Sequence, residues 1–126
     1  MKLENVLFES KAKSRIKVVD FGISGMCKGN VHEKNDAGTL RYMAPEVLHS
    51  QYTTANPAID IWAMGIMLYC MIFDQFPFNG ESSSTIKDKI MNSNFKVPRS
   101  TPATEELVDL LNHMLEKDPA TRYSLN

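Results

Sequence analysis

At 126 residues, with 43% hydrophobic and 23% charged residues and only 6 glycines and 6 prolines, the chain has the makeup of a globular unit, not of a disordered or fibrous one. Its formal net charge of -1, from 14 basic and 15 acidic residues, is close to balanced and advertises neither nucleic acid nor an anionic membrane as a partner. The two cysteines, Cys27 and Cys70, lie far apart without metal-ligand or redox spacing and are read as reduced thiols. Met1 is not followed by a charged-then-apolar leader and no Asn-x-Ser/Thr acceptor occurs, so the expected location is intracellular, in the cytoplasm.

Val6-Leu7-Phe8 and Ile16 to Val19 are β-prone runs joined by the polar stretch Glu9 to Arg15, which predicts a two-stranded ribbon. Gly22, Gly25, Gly29 and Gly38 then punctuate a stretch without apolar periodicity, so Ile23 to Arg41 reads as a long surface loop, a length that usually signals function. A short helical turn is expected after Pro45. Asn56-Pro57 supplies a cap and a first-turn proline for a helix to Phe73. Its stretch from Ile61 to Phe73 carries no charge, is too short for a membrane span, and has almost no polar face, so the helix is expected to be surrounded as the hub of the core. Ser82 to Asn92 has weak helical spacing at Ile86, Ile90 and Met91. Leu107, Val108, Leu111, Met114 and Leu115 form a clear apolar stripe that stops before Pro119. No repeat or linker divides the chain, which reads as one mainly α unit with a short β-ribbon.

Six motifs fall in order along these elements: Lys2-Leu3-Glu4-Asn5, Asp20-Phe21-Gly22, Ala44-Pro45-Glu46, Asp60-x-Trp62-x-x-Gly65, Pro77-Phe78-x-Gly80 and Asp118-Pro119-x-x-Arg122. Each alone has a plain reading; Asp20-Phe21-Gly22 is also a strand end followed by a sharp turn. Together they resemble the C-terminal half of a eukaryotic-type serine/threonine protein kinase domain, from the end of the catalytic loop, through the magnesium motif and the close of the activation segment, to the distal helices. The resemblance covers essentially the whole chain and implies the helical C-lobe of a fold that is α+β when complete. It also implies an enzyme that transfers the γ-phosphoryl group of ATP to serine or threonine of a protein substrate. Such transfer is mostly positioning and charge neutralisation, and it needs oxygen ligands for Mg2+ beside the phosphates.

The resemblance gives Asp20 the magnesium that bridges the phosphates and Asn5 the second magnesium. Lys2 would steady the transferred phosphoryl group as a point charge. Thr39 would sit beside the substrate and, with Lys2, favours serine/threonine specificity. Leu7 matches the apolar floor beneath adenine, with plain core packing as its alternative. Phe21 and Gly22 complete the magnesium motif structurally. Glu46 and Arg122 correspond to a buried ion pair that ties the activation segment to the distal helices. Asp60 corresponds to an acceptor of backbone hydrogen bonds from the catalytic loop, with a helix-dipole role as the alternative. Pro77-Phe78 and Phe95-x-Val97-Pro98 resemble the calcium/calmodulin-dependent kinase group.

Met1 falls one position after the place of the catalytic aspartate, so these 126 residues hold no His-Arg-Asp triplet, glycine-rich loop or phosphate-binding strand lysine. The expectation is a chain inactive by itself, partnered by the missing N-lobe or upstream chain. The alternative is a kinase remnant that acts only as an interaction module. Between Gly25 and Gly38 no serine, threonine or tyrosine occurs. Either the whole enzyme is expected to be active without phosphorylation of this loop, with Glu33 or Asp36 as a source of the negative charge, or regulation lies outside these residues.

Overall fold

In a computed structural model of the chain, residues 1–11, 15–19, 37–49 and 56–124 are described. A single 3-10 turn, Leu3–Asn5, leads into strand β1, Val6–Phe8, which pairs antiparallel with β2, Ile16–Val18, in the register Val6 opposite Val18 and Phe8 opposite Ile16. The ladder continues one step beyond β2, where the Val19 amide donates to the Asn5 carbonyl at 2.7 Å. Glu9 closes the other end by pairing with both Lys17 and Arg15.

Helix α1, Ala37–Leu40, occupies the end of the segment read as loop, so that stretch closes on a helical turn before Arg41. The rest of the expected activation segment, with Asp20, Phe21 and Gly22, lies outside the described residues. Helix α2, Pro45–His49, follows where the short turn was expected. Helix α3, Pro57–Phe73, begins as the sequence predicts: the Asn56 side chain accepts from the Ala58 amide at 3.0 Å, and Pro57 takes a position whose N–H has no helical partner. It ends at Asp74, which adopts the left-handed conformation at φ 53°. No described helix is long and apolar enough to cross a membrane.

Helices α4, Ser83–Asn92, and α5, Glu105–Met114, are capped by Ser82 and Thr104, whose side-chain oxygens accept from the third amide onward. Helix α4 buries Ile86 and Ile90, the two positions of its weak spacing that face inward, and α5 buries Leu111 and Met114 of its stripe. The core forms around α3. Trp62 and Ile66 pack with Leu40, Phe78, Ile86 and Ile90, and Tyr69 and Phe73 form a second cluster with Leu111. Full burial of each such side chain is worth about 1.5–3 kcal/mol. The close packing of α3 on α5 runs over Gly65, where a Cβ would stand 2.9 Å from Leu115 Cδ2 and 3.0 Å from Met114 Cβ.

The expectation that α3 is surrounded on all sides is corrected in one respect. Met64 and Met71, two turns apart on one face, are 37% and 65% exposed.

Candidate functional site

The 3-10 turn holds Lys2, half-buried at its N-terminal edge, and Asn5, half-buried at its end. Asn5 is fixed through its backbone: its amide donates to the Lys2 carbonyl at 3.0 Å, and its carbonyl accepts from Val19. The turn therefore joins the start of β1 to the end of β2, the strand that runs toward Asp20. Leu7 is half exposed on β1.

The segment from Gly38 to Glu46 is docked on this turn. Leu40, Tyr42 and Ala44 are buried in the main cluster, against which Leu3 and Val6 pack. The Tyr42 phenol lies beside the Leu3 backbone and the Glu4 carboxylate. Burial first, and then the nearby Glu4 charge, raise its pKa above the usual tyrosine range. Thr39, half-buried, is held in the same turn by the Tyr42 amide, which donates to its carbonyl at 3.2 Å. Cys70 of α3 also feels Glu4; burial, and behind it this carboxylate, push its thiol up to about 11, which keeps it protonated at neutral pH.

At the far side of α3, Arg122 is buried and every nitrogen of its guanidinium is engaged. Nη1 and Nη2 grip the Glu46 carboxylate at 2.7 and 2.9 Å. Nη1 also donates to the Ala58 carbonyl, Nε to the Glu116 carbonyl and Nη2 to the Lys117 carbonyl. One side chain thus joins α2, the start of α3 and the turn after α5, across 76 positions of sequence. Its plane lies over the Trp62 ring at 5.1 Å. Asp60, in the first turn of α3, is 59% exposed at its side chain and stands 3.9 Å from the Met1 amino group. Among the described residues no backbone amide is bonded to its carboxylate. Asp20, Phe21 and Gly22 lie outside the described residues.

A protein kinase domain family model matches residues 1–126. The chain belongs to the protein kinase domain family. It is similar to the serine/threonine-protein kinase ssp1 of Schizosaccharomyces pombe, 34% identical over 135 residues that cover 99% of this chain and 20% of that protein. It is also 34% identical to the mitosis inducer protein kinase cdr1 of the same yeast and 35% identical to the SNF-related serine/threonine-protein kinase of Homo sapiens, with 99% of this chain covered in each. The chain spans about a fifth of the length of these relatives, between 16% and 20%.

The kinase-family motifs read from the sequence therefore divide between two places in this fold. Lys2, Asn5 and Leu7 lie on the turn and the ribbon and Thr39 on α1, whereas Glu46 and Arg122 pair between α2 and the turn after α5. Sequence reasoning missed Lys117, whose Nζ stands 4.1 Å from the Phe78 ring centre and 5.0 Å from that of Trp62 and donates to the Ile90 carbonyl at 2.5 Å. It also missed Tyr42 as the link between Thr39 and the turn. Lys117 had no local signal, because Trp62, Phe78 and Ile90 are all distant in sequence. The place of Tyr42 between Thr39 and Ala44-Pro45-Glu46 was the only hint of its part.

Proposed function

We propose that this chain forms the C-lobe part of the catalytic site of an ATP-dependent protein serine/threonine kinase. The observation that carries the reading is the family match over the full chain; it is supported by Leu3 and Val6, on either side of Asn5, packing against the cluster that holds Leu40 and Tyr42. Asn5 and Asp20 would be the magnesium ligands. The hydrogen bond between Val19 and Asn5 supports this, since it joins the turn that carries one to the strand that leads into the other. Bound Mg2+ would neutralise the charge of the ATP phosphates as the γ-phosphoryl group leaves. Lys2 would add a further positive charge, Leu7 would offer its exposed side chain to the adenine, and Thr39 would stand beside the accepting serine or threonine of a protein substrate.

By this reading the 126 residues form half of a nucleotide site, so a polypeptide of these residues alone transfers no phosphate. The finer kinship to the calcium/calmodulin-dependent group, from Pro77-Phe78 and Phe95-x-Val97-Pro98, and a cytoplasmic setting belong to the same proposal. The test is phosphate transfer from γ-labelled ATP to a protein substrate by the full-length protein that contains this chain, beside its Asp20→Ala variant. Loss of a magnesium ligand should lower the rate by about 10²-fold or more, several kcal/mol of charge stabilisation. Equal incorporation by the two proteins sinks the catalytic reading and leaves the interaction module.

A further inference from the structure

The segment after α3 and the segment after α4 meet across an open cleft of about 370 Å³. That volume lies within the range of roughly 300–1,000 Å³ typical of ligand-binding clefts. Its floor is apolar and rigid. Tyr69 and Phe78 are buried in the two core clusters, and the Tyr69 hydroxyl donates to the Lys96 carbonyl at 2.6 Å, which pins one rim to α3. Phe76, Pro77 and Pro98 form half-buried walls.

The rim has one sign of charge. Lys89 and Lys96 are both exposed there, and none of the ten lining residues is acidic. Lys89 is held in place because its ammonium donates to the Asn79 carbonyl at 2.6 Å, a bond that uses one of its three donors. A third cation stands close by: the Arg41 guanidinium lies 5.1 Å from the Phe76 ring centre and bonds to the Asn79 side chain. The carboxylates nearest in sequence, Asp74, Glu81 and Asp88, do not line the cleft, and Asp88 is engaged by Asn92. An apolar floor flanked by two lysines complements an apolar side chain flanked by carboxylates.

We propose that this cleft docks an acidic segment of a partner protein, with one apolar side chain seated between Phe76, Pro77 and Pro98 above the buried Tyr69 and Phe78, and flanking carboxylates facing Lys89 and Lys96. The proposal does not depend on phosphoryl transfer, since none of the residues assigned to that reaction lines the cleft.

The experiment measures fluorescence polarisation of a labelled peptide, one phenylalanine between two pairs of glutamates, added to the full-length protein. Binding should weaken about tenfold or more in Lys96→Glu, and it should weaken with added salt. A peptide with lysines in place of the glutamates should not bind, and one with glycine in place of phenylalanine should bind more weakly. Because Lys96 is exposed, its melting temperature should be unchanged; if it shifts, Lys96→Gln gives the same comparison without an added charge. No binding of the acidic peptide, equal affinity in the wild type and the Lys96 variants, or equal binding of the lysine peptide would each overturn the proposal.

Discussion

Arg122 shows how much one buried cation can be asked to do. Its desolvation is offset only because two carboxylate oxygens and three carbonyls receive its N–H groups, so removing either charged partner leaves the other stranded. Arg122→Ala should cost about 3–5 kcal/mol in a urea melt of the kinase domain that contains this chain. A loss below about 1 kcal/mol would show that the pair is solvated in solution. Lys117 sets up a second test. Burial pulls its ammonium down to about 8 from an ordinary 10.5, with Arg122 pulling the same way and Glu116 opposing. The unfolded chain therefore holds this proton more tightly than the folded one, so stability gains from Lys117 as pH rises from about 8 toward 10.5. Tyr42, Tyr69 and Cys70, whose acids are raised by burial, oppose this at alkaline pH. The readout is accordingly the difference from Lys117→Met, which should lose the rising component. Parallel pH profiles would mean that the two ring faces and the Ile90 carbonyl hold the charge as well as water does.

Among the elements, the helices were the more legible part, because their signals are local. Asn56-Pro57 and Ser82 act through amides within three residues, and the α5 stripe points its apolar side chains by helical spacing alone. The fit between α3 and α5 is different, since it depends on which residue of one helix meets which of the other. Gly65 was visible as part of a motif, yet its reason is the Leu115 and Met114 side chains pressed against it. Gly65→Val should cost about 1–3 kcal/mol through overpacking, despite removing a helical glycine. An unchanged thermal midpoint would show that α5 yields without penalty. The turn at α1 was read as loop because four residues around Gly38 carry no periodicity. Packing of Leu40 into the main cluster, not propensity, holds it helical.

For the molecule as a whole, the apolar surface left open is the measurable property. Phe8, Ile16 and Met71 are 57%, 62% and 65% exposed, and Met64 extends the stripe on α3. A polypeptide of these 126 residues alone should self-associate, seen as concentration-dependent sedimentation, because apolar patches of this kind seek cover. A monodisperse monomer with a cooperative melt would contradict that. What the sequence determined by itself was the family, the order of motifs, the ribbon and the starts of α3 and α4, since each rests on neighbouring residues and their turn, cap or period. What only the tertiary structure decided was the partnership of distant groups: Lys117 over Trp62 and Phe78, Tyr42 against Leu3 and Glu4, the Ala58 carbonyl as a further acceptor for Arg122, and the cleft between two loops. These arise from close packing of side chains far apart in the chain, and the identity of one partner leaves no mark on the sequence around the other.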